Sequence, residues 1–286
     1  MIKPQTLKGF RDFLPSEARK RQYVINILKN VFESYGFEPL ETPALEYEEI
    51  LLGKYGDEGD KLMYRFTDRG GRKVALRYDQ TVPLARVVAQ YGNELQMPFK
   101  RYQIQPVWRA DNTQKGRFRE FLQCDADIVG SSSPLSDAEI IVVTTRALKK
   151  LGFKDFKILI NDREIFKGLP KVVITVIDKI KKIGKEMALK ELEKMKIDSS
   201  IIQTIELQKP TEKISRILSL LKKLGIKSEN CKFSSTLARG LDYYTGMIFE
   251  IEIEGYSAGS VAGGGRYDNL IGLFSGKQIP AVGFAF

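Results

Sequence analysis

The sequence predicts an α+β fold: a sheet flanked by helices, interrupted by a small helical insertion. Three observations carry that prediction. Strand-like runs recur along the chain, at Lys73–Tyr78, Arg101–Trp108, Phe118–Ile128, Phe156–Ile160 and Met247–Glu254. Two longer stretches with helical spacing, 16–35 and 136–152, lie among them. Between Phe166 and Phe233 the composition changes, with no Phe, Tyr or Trp and a helical pattern throughout. The sheet domain is therefore expected at 1–167 and 231–286, and the insertion at 168–230.

The first helix follows from a stripe of Tyr23, Val24, Ile27, Leu28, Val31, Phe32 and Tyr35 at helical spacing. Ser16 is placed to cap it, and Gly36 ends it. The segment Phe37–Leu45 holds Pro39 and Pro43, which suits an edge strand or an interface. Ser136-Asp137-Ala138-Glu139 has the spacing of a capping box, and the helix it opens runs to Gly152. In the insertion, Ile174, Ile177, Ile180 and Ile183 make one apolar stripe. Leu189, Leu192 and Met195 make a second, and Ile214, Ile217, Leu218 and Leu221 a third.

Composition narrows the function. The chain has 286 residues, 43% apolar and 29% charged, as in a soluble globular protein. It holds no apolar run long enough to span a bilayer, and the start lacks the apolar core of a signal peptide. Cys124 and Cys231 alone make neither a disulfide framework nor a zinc site, so a reducing cytoplasm is expected. There is no histidine, which excludes any mechanism that needs a protein imidazole. The net charge is +10. Residues 168–230 carry 14 basic and 8 acidic side chains, so most of the excess lies there. A lysine-rich solvated surface explains that excess, and so does contact with a nucleic acid.

The strand over 117–127 is the most informative stretch. Side chains alternate between its faces. Phe118, Leu122, Cys124, Ala126 and Ile128 share one face with Glu120. The other carries Arg117, Arg119, Phe121, Gln123, Asp125 and Asp127. Cations, an aromatic ring, an amide and carboxylates in one row suit a ligand with a phosphate end, a flat ring and an amine end. Arg109 and Arg117 flank a polar hairpin that contains Lys115 and Gly116. Arg109 and Arg119 have the forked donors that grip phosphate oxygens.

These residues resemble a known family. VWRADNTQKGRFREFLQCDADIVG looks like motif 2 of the class II aminoacyl-tRNA synthetases. ARGLDYYTG and AGGGRYDNLI look like the two signatures of histidyl-tRNA synthetase. The resemblance runs from KGFRDFLP near the start to PAVGFAF at Phe286 and covers the catalytic region. It implies a class II fold: a mainly antiparallel sheet flanked by helices, a homodimer with Pro43 at the interface, and ATP lying on the sheet.

The resemblance also implies an activity. The family activates L-histidine with ATP and Mg2+ to histidyl-adenylate, then charges tRNA(His). Arg109 matches the arginine on the α-phosphate, Arg117 part of the triphosphate grip, and Phe121 the aromatic under adenine. Asp111 stands where many class II enzymes have a glutamate that reaches the adenine amino group, and it is one methylene shorter. Asp79, Thr81 and Gln123 match positions that receive the α-amino group of histidine. Asp127 and Tyr244, with Tyr243 beside it, match the reader of the imidazole ring. Arg239 matches the family's own arginine, between α-phosphate and substrate carboxylate. Magnesium is expected on the ATP, with no metal motif in the chain.

Several residues keep a plainer reading as well. Asp79 also fits the cap of a helix that begins at Thr81–Val82, and Tyr244 a packing role. Arg109 and Arg239 also fit structural ion pairs. AGGG reads as a flexible turn or as a place where backbone comes close to the pocket. Gly240 and Gly246 are expected to let the chain turn between Arg239 and the tyrosines. PAVGFAF resembles the first half of motif 3, so a truncated chain with weak or no adenylate formation is expected, without an anticodon-binding domain. Two other functions fit the same fold: a histidine-sensing regulatory subunit of ATP phosphoribosyltransferase, and a non-catalytic RNA-binding domain.

Overall fold

The computed structural model describes residues 2–53, 62–113, 116–239, 243–256 and 259–286. Gly240 and Lys115 therefore lie outside the described residues.

Helix α1 spans Pro15–Ser34. Its N-cap is Leu14, with Pro15 at the first helical position and no side-chain cap, so Ser16 sits inside the first turn. Leu28, Val31 and Phe32 are buried, whereas Tyr23 and Val24 at the start of the stripe are exposed. Strand β1 (Glu38–Pro39) lies at one edge of the large sheet, paired parallel to β5 (Phe99–Trp108). Strands β2 (Leu45–Tyr47), β3 (Arg65–Thr67) and β4 (Lys73–Leu76) form a small antiparallel sheet of order β2-β4-β3, with helix α2 (Glu48–Leu52) beside it. Helix α3 (Thr81–Tyr91) follows.

Strand β6 is Glu120–Val129, three residues shorter at its start than the pattern predicts, with only a single bridge at Arg117. Helix α4 is Pro134–Lys150. Ser133, not Ser136, caps it, accepting from the Leu135 N–H at 3.2 Å. Ser136 Oγ instead meets Ser131 Oγ at 2.8 Å. Strand β7 is Phe156–Asp162. Helices α5 (Lys171–Ile183), α6 (Lys185–Lys194), α7 (Ser200–Glu206) and α8 (Glu212–Lys223) come next. Strands β8 (Cys231–Phe233), β9 (Met247–Ile253) and β10 (Ala262–Arg266), the short helix α9 (Gly272–Ser275) and strand β11 (Ala281–Ala285) complete the chain.

Among the described residues the large sheet has eight strands in the order β1-β5-β6-β11-β10-β9-β7-β8. Its two edge pairs are parallel and all its inner pairs antiparallel. It is the expected mainly antiparallel sheet flanked by helices. One face is apolar. Cys124, Ala126 and Ile128 of β6 meet Phe32 of α1, Ile140 and Ile141 of α4, and Ile214, Ile217 and Leu221 of α8 there. Burying one such side chain contributes about 1.5–3 kcal/mol.

The four helices between β7 and β8 do not share one core. Val173, Val176, Ile177, Ala188, Leu192, Ile202 and Ile205 of α5–α7 cluster together. Helix α8 instead packs on α4 and the sheet. Thr211 begins α8: its hydroxyl accepts from the Ile214 N–H and donates to Asp162 at the end of β7, at 2.9 Å.

Candidate functional site

The other face of the sheet is buried too, but it is polar. On β6 the residues Gln123, Asp125 and Asp127 point to it, each no more than 5% exposed. The alternation is as the sequence predicts; the deep burial is not what a half-exposed strand would show. Helix α3, Tyr244 and the segment after β10 roof this face through Leu84, Ala85, Val88, Tyr267, Leu270 and Ile271. A polar row under such a roof must find partners for its atoms.

Those partners tie the predicted residues together. Arg109 leaves the end of β5; its Nε donates to the Tyr78 carbonyl at 3.0 Å and its Nη2 to Gln123 Oε1 at 3.1 Å. Its guanidinium lies 5.0 Å from the centre of the Phe121 ring. Gln123 Nε2 donates to both oxygens of Asp125, at 2.9 and 3.1 Å. Asp79 precedes α3, and its Oδ1 accepts from the Val82 N–H at 3.2 Å, so the capping reading holds. Its carboxylate also feels the charges of Arg109 and Arg101, and burial raises its pKa to about 6. Asp79 thus both caps the helix and faces the site. Thr81 is buried beside it and hydrogen-bonds the Tyr243 side chain.

Tyr243 and Tyr244 pack with their rings tilted and the ring centres 4.7 Å apart. Burial lifts both phenols above their usual range, and Arg239 partly opposes this for Tyr244. Arg239 is part-buried, with its guanidinium 5.6 Å from the Tyr244 ring centre, and Nη1 donates to the Phe249 carbonyl at 3.3 Å. Glu250 lies 3.6 Å from it. Its Nε is buried without a hydrogen-bond partner among the described residues. Burial works against its charge, yet the tyrosines and Glu250 raise its pKa.

Asp127 sits on the same face. Its Oδ1 accepts from the Tyr267 hydroxyl, and Arg101 Nη2 lies 2.9 Å from its Oδ2. Burial pushes the carboxyls of Asp125 and Asp127 up, with Arg101 pulling both down. AGGG is neither a turn nor flexible: it is the interior strand β10, buried throughout. A Cβ on Gly263 would overlap Nη1 of Arg239, and one on Gly283 of β11 would overlap Asp127 Oδ1. The close backbone approach is real at those two positions.

Two predicted residues lie apart. Asp111 and Arg117 are exposed on the hairpin arms, outside the buried cluster. Arg119 braces that hairpin: its Nε donates to the Asp111 carbonyl at 3.1 Å, and its stem packs over Gly9. It is not aimed at the polar row. The sequence reading missed Arg101 and Tyr267. Arg101 had a signal, because Arg101, Gln103 and Gln105 place polar groups at every second position of β5. That is the same period as on β6, directly across the ladder.

Comparison with known proteins places the chain in a family. A family model described as Histidyl-tRNA synthetase matches residues 9–206 and 176–286. The histidine–tRNA ligase of Gloeobacter violaceus is 44% identical, with 98% of this chain and 73% of that protein aligned. That of Cytophaga hutchinsonii is 41% identical, over 100% of this chain and 75% of that protein. The chain belongs to the histidyl-tRNA synthetase family. It is thus of the aminoacyl-tRNA synthetase class, and its fold agrees. The crystal structure of histidyl-tRNA synthetase from Nostoc sp. PCC 7120 superposes with a TM-score of 0.85 at 32% identity, covering 100% of this chain and 74% of that one.

An ATP phosphoribosyltransferase regulatory subunit/histidyl-tRNA synthetase from Bacillus halodurans has a TM-score of 0.83 at 24% identity, which is a likeness of fold. The alignment to the C. hutchinsonii protein extends over 341 residues where this chain has 286. This histidyl-tRNA synthetase relative is therefore the longer within the matched stretch. The two stretches of the family match overlap at 176–206, inside the helical interval. Among the described residues no helix is long and apolar enough to cross a membrane.

Proposed function

We propose that the buried polar face joins L-histidine to ATP as histidyl-adenylate, the first half of charging tRNA(His). The observation that carries this reading is the buried row Gln123–Asp125–Asp127, with Arg109 bonded to Gln123 at one end and with Tyr244, which feels the charges of Asp127 and Asp125, holding Arg239 beside it. Carboxylates with cations beside them suit a zwitterion beside a triphosphate.

In this reading Asp79, Thr81 and Gln123 receive the α-amino group of histidine. Asp127 and Tyr244, with Tyr243 packed on it, read the ring: a carboxylate accepts from one N–H and a hydroxyl serves the other nitrogen. Arg239 holds the substrate carboxylate against the α-phosphate, and Arg109 grips that phosphate from the other side. Phe121 stacks on adenine, Arg117 meets the triphosphate tail, and Asp111 reaches towards the adenine amino group. The carboxylate oxygen bonds to the α-phosphorus, the bond to the bridging oxygen breaks, and pyrophosphate leaves. The nucleophile is already an anion, so no general base is needed, and a chain without histidine loses nothing by it. Mg2+ arrives with ATP and neutralises charge on the departing pyrophosphate.

The rest of the molecule supports this role. Residues 1–167 with 231–286, together with α8 packed on their core, act as the catalytic domain, and basic side chains of the interval 168–230 contact tRNA. The exposed Leu45, Tyr47 and Phe66 of the small sheet, next to Pro43, offer the surface of a homodimer. The setting is the cytoplasm. Arg109 and Arg239 in one site favour adenylation over a regulatory role that only senses histidine. Pyrophosphate exchange measured with each of the twenty amino acids tests the reading. Exchange, however slow, is expected with histidine alone. Exchange driven equally by another amino acid contradicts it.

A further inference from the structure

The ligand-facing groups belong to a buried polar string whose central residue, Arg101, no step above uses. It runs along the sheet from Arg109 through Gln123 and Asp125 to Arg101, and on through Asp127 to Tyr267. Arg101 is at its centre and is wholly buried. It stands directly opposite Asp127 in the β5–β6 register, so the backbone ladder fixes where its side chain starts. Its Nη2 is 2.9 Å from Asp127 and 3.9 Å from Asp125. Its fork is itself held. Nη1 donates to Gln103 Oε1 at 3.1 Å, and Nη2 to the Gln80 carbonyl at 3.3 Å. Gln103 in turn donates to Thr42 Oγ1 at 2.8 Å and to Gln105 Oε1 at 2.7 Å.

The charge count makes Arg101 necessary. Asp127 faces Arg101 from β5, Asp125 along its own strand, Asp79 ahead of α3, Tyr244, and Tyr267 beyond β10. From β11 its neighbour across the ladder is Gly283, which carries no charge. Three carboxylates thus crowd one buried face. Like charges at short range in a poorly solvated site cannot all stay ionised without a cation among them. Arg109 sits at the far end of the string, bonded to Gln123. Arg101 is the cation in contact with Asp127.

We propose that Arg101 is a positioning residue for histidine recognition: it keeps Asp127 ionised beside Asp125 and turned to accept from the ring of the substrate. This inference rests on the reading of the pocket as a histidine site. Without Arg101 the two aspartates would share a proton, and a protonated Asp127 cannot accept the ring N–H in the same way.

Calorimetric titration with L-histidine across a range of pH tests this on the chain and on Arg101→Gln, Asp125→Asn and the double variant. Arg101→Gln is expected to bind histidine about tenfold more weakly near neutral pH, with the acid limb of the affinity profile moved up by about one unit. Its loss for ATP is expected to be smaller than for histidine. Asp125→Asn, which removes the like charge, moves the limb down, and the double variant falls between the two. The substrate's own titration is common to all four and cancels.

Equal losses for histidine and ATP in Arg101→Gln with the limb unmoved would overturn the proposal. So would an unmoved limb in Asp125→Asn. If Arg101→Gln does not fold, Asp125→Asn decides alone: a limb moved down supports the proposal and an unmoved one overturns it. If the unaltered chain does not bind histidine, the reading of the pocket fails and this inference falls with it.

Discussion

The two faces of the large sheet are buried alike and built of opposite materials. On β6, Cys124, Ala126 and Ile128 sink into the core under α1, α4 and α8. One residue away each time, Gln123, Asp125 and Asp127 are buried on the other side. The apolar face needs only volume and shape. The polar face needs partners for its oxygens and nitrogens, and Arg109, Arg101 and Tyr267 supply several, while Asp127 Oδ2, Arg101 Nε and Arg239 Nε are buried with no hydrogen bond among the described residues. Burying three carboxylates carries a desolvation cost, which a ligand site would explain. The apolar face holds the protein together, and in the proposed function the polar face holds the substrate.

That division can be broken from either side. Ile141→Ala, on the helix that covers the apolar face, is expected to lose about 2–5 kcal/mol of stability in urea denaturation. The folded fraction should bind histidine as before; a matching loss of affinity would show that the faces are coupled. Arg239→Ala is the opposite change, with an expected rise of about 2.7–4 kcal/mol in the barrier to adenylate formation. Its melting temperature should barely move, and pyrophosphate exchange reads the loss.

Gly263→Ala tests the same arginine without touching it. The new Cβ displaces the Arg239 guanidinium, and misplacement on that scale costs about 10²-fold in rate. A normal rate in that variant would remove Arg239 from the chemistry.

The smallest effect is a pH slope. Asp79 holds its proton to about pH 6, whereas the unfolded chain releases it at the ordinary carboxylate value near 3.8. The folded state therefore binds more protons between those two values, and stability falls as pH rises through that window. Asp79→Asn keeps an acceptor for the Val82 N–H and removes this contribution. Its melting temperature should fall less than that of the unaltered chain from pH 4 to about 6.

The sequence made much of both faces legible. The period-2 pattern of β6 separates them in the sequence itself, and the stripe of Leu28, Val31 and Phe32 announces a covering helix. Exact ends were less legible because caps compete locally. Ser133 beat Ser136 because Pro134 fits the first helical position, and Leu14 served before Pro15 for the same reason. Strand β10 was hidden, since Gly263, Gly264 and Gly265 carry no side-chain period. Pairing with β9 and β11 makes it a strand, a tertiary cause that no local pattern reports.

Arg101 was the costliest miss. A buried arginine inside a strand reads as exposed until its partner across the ladder is known. The helical interval looked uniform because α5–α7 and α8 share composition and spacing. They differ in what they pack against, which only the fold supplies.

The central claim is that the polar face binds histidine through Asp127. Calorimetric titration of L-histidine into the chain and into Asp127→Asn tests it most directly. One histidine per chain is expected, with affinity reduced about tenfold or more when Asp127 loses its charge, as for a buried charge-assisted hydrogen bond. An unaltered chain that does not bind histidine, or an Asp127→Asn variant that binds it equally well, would contradict the account.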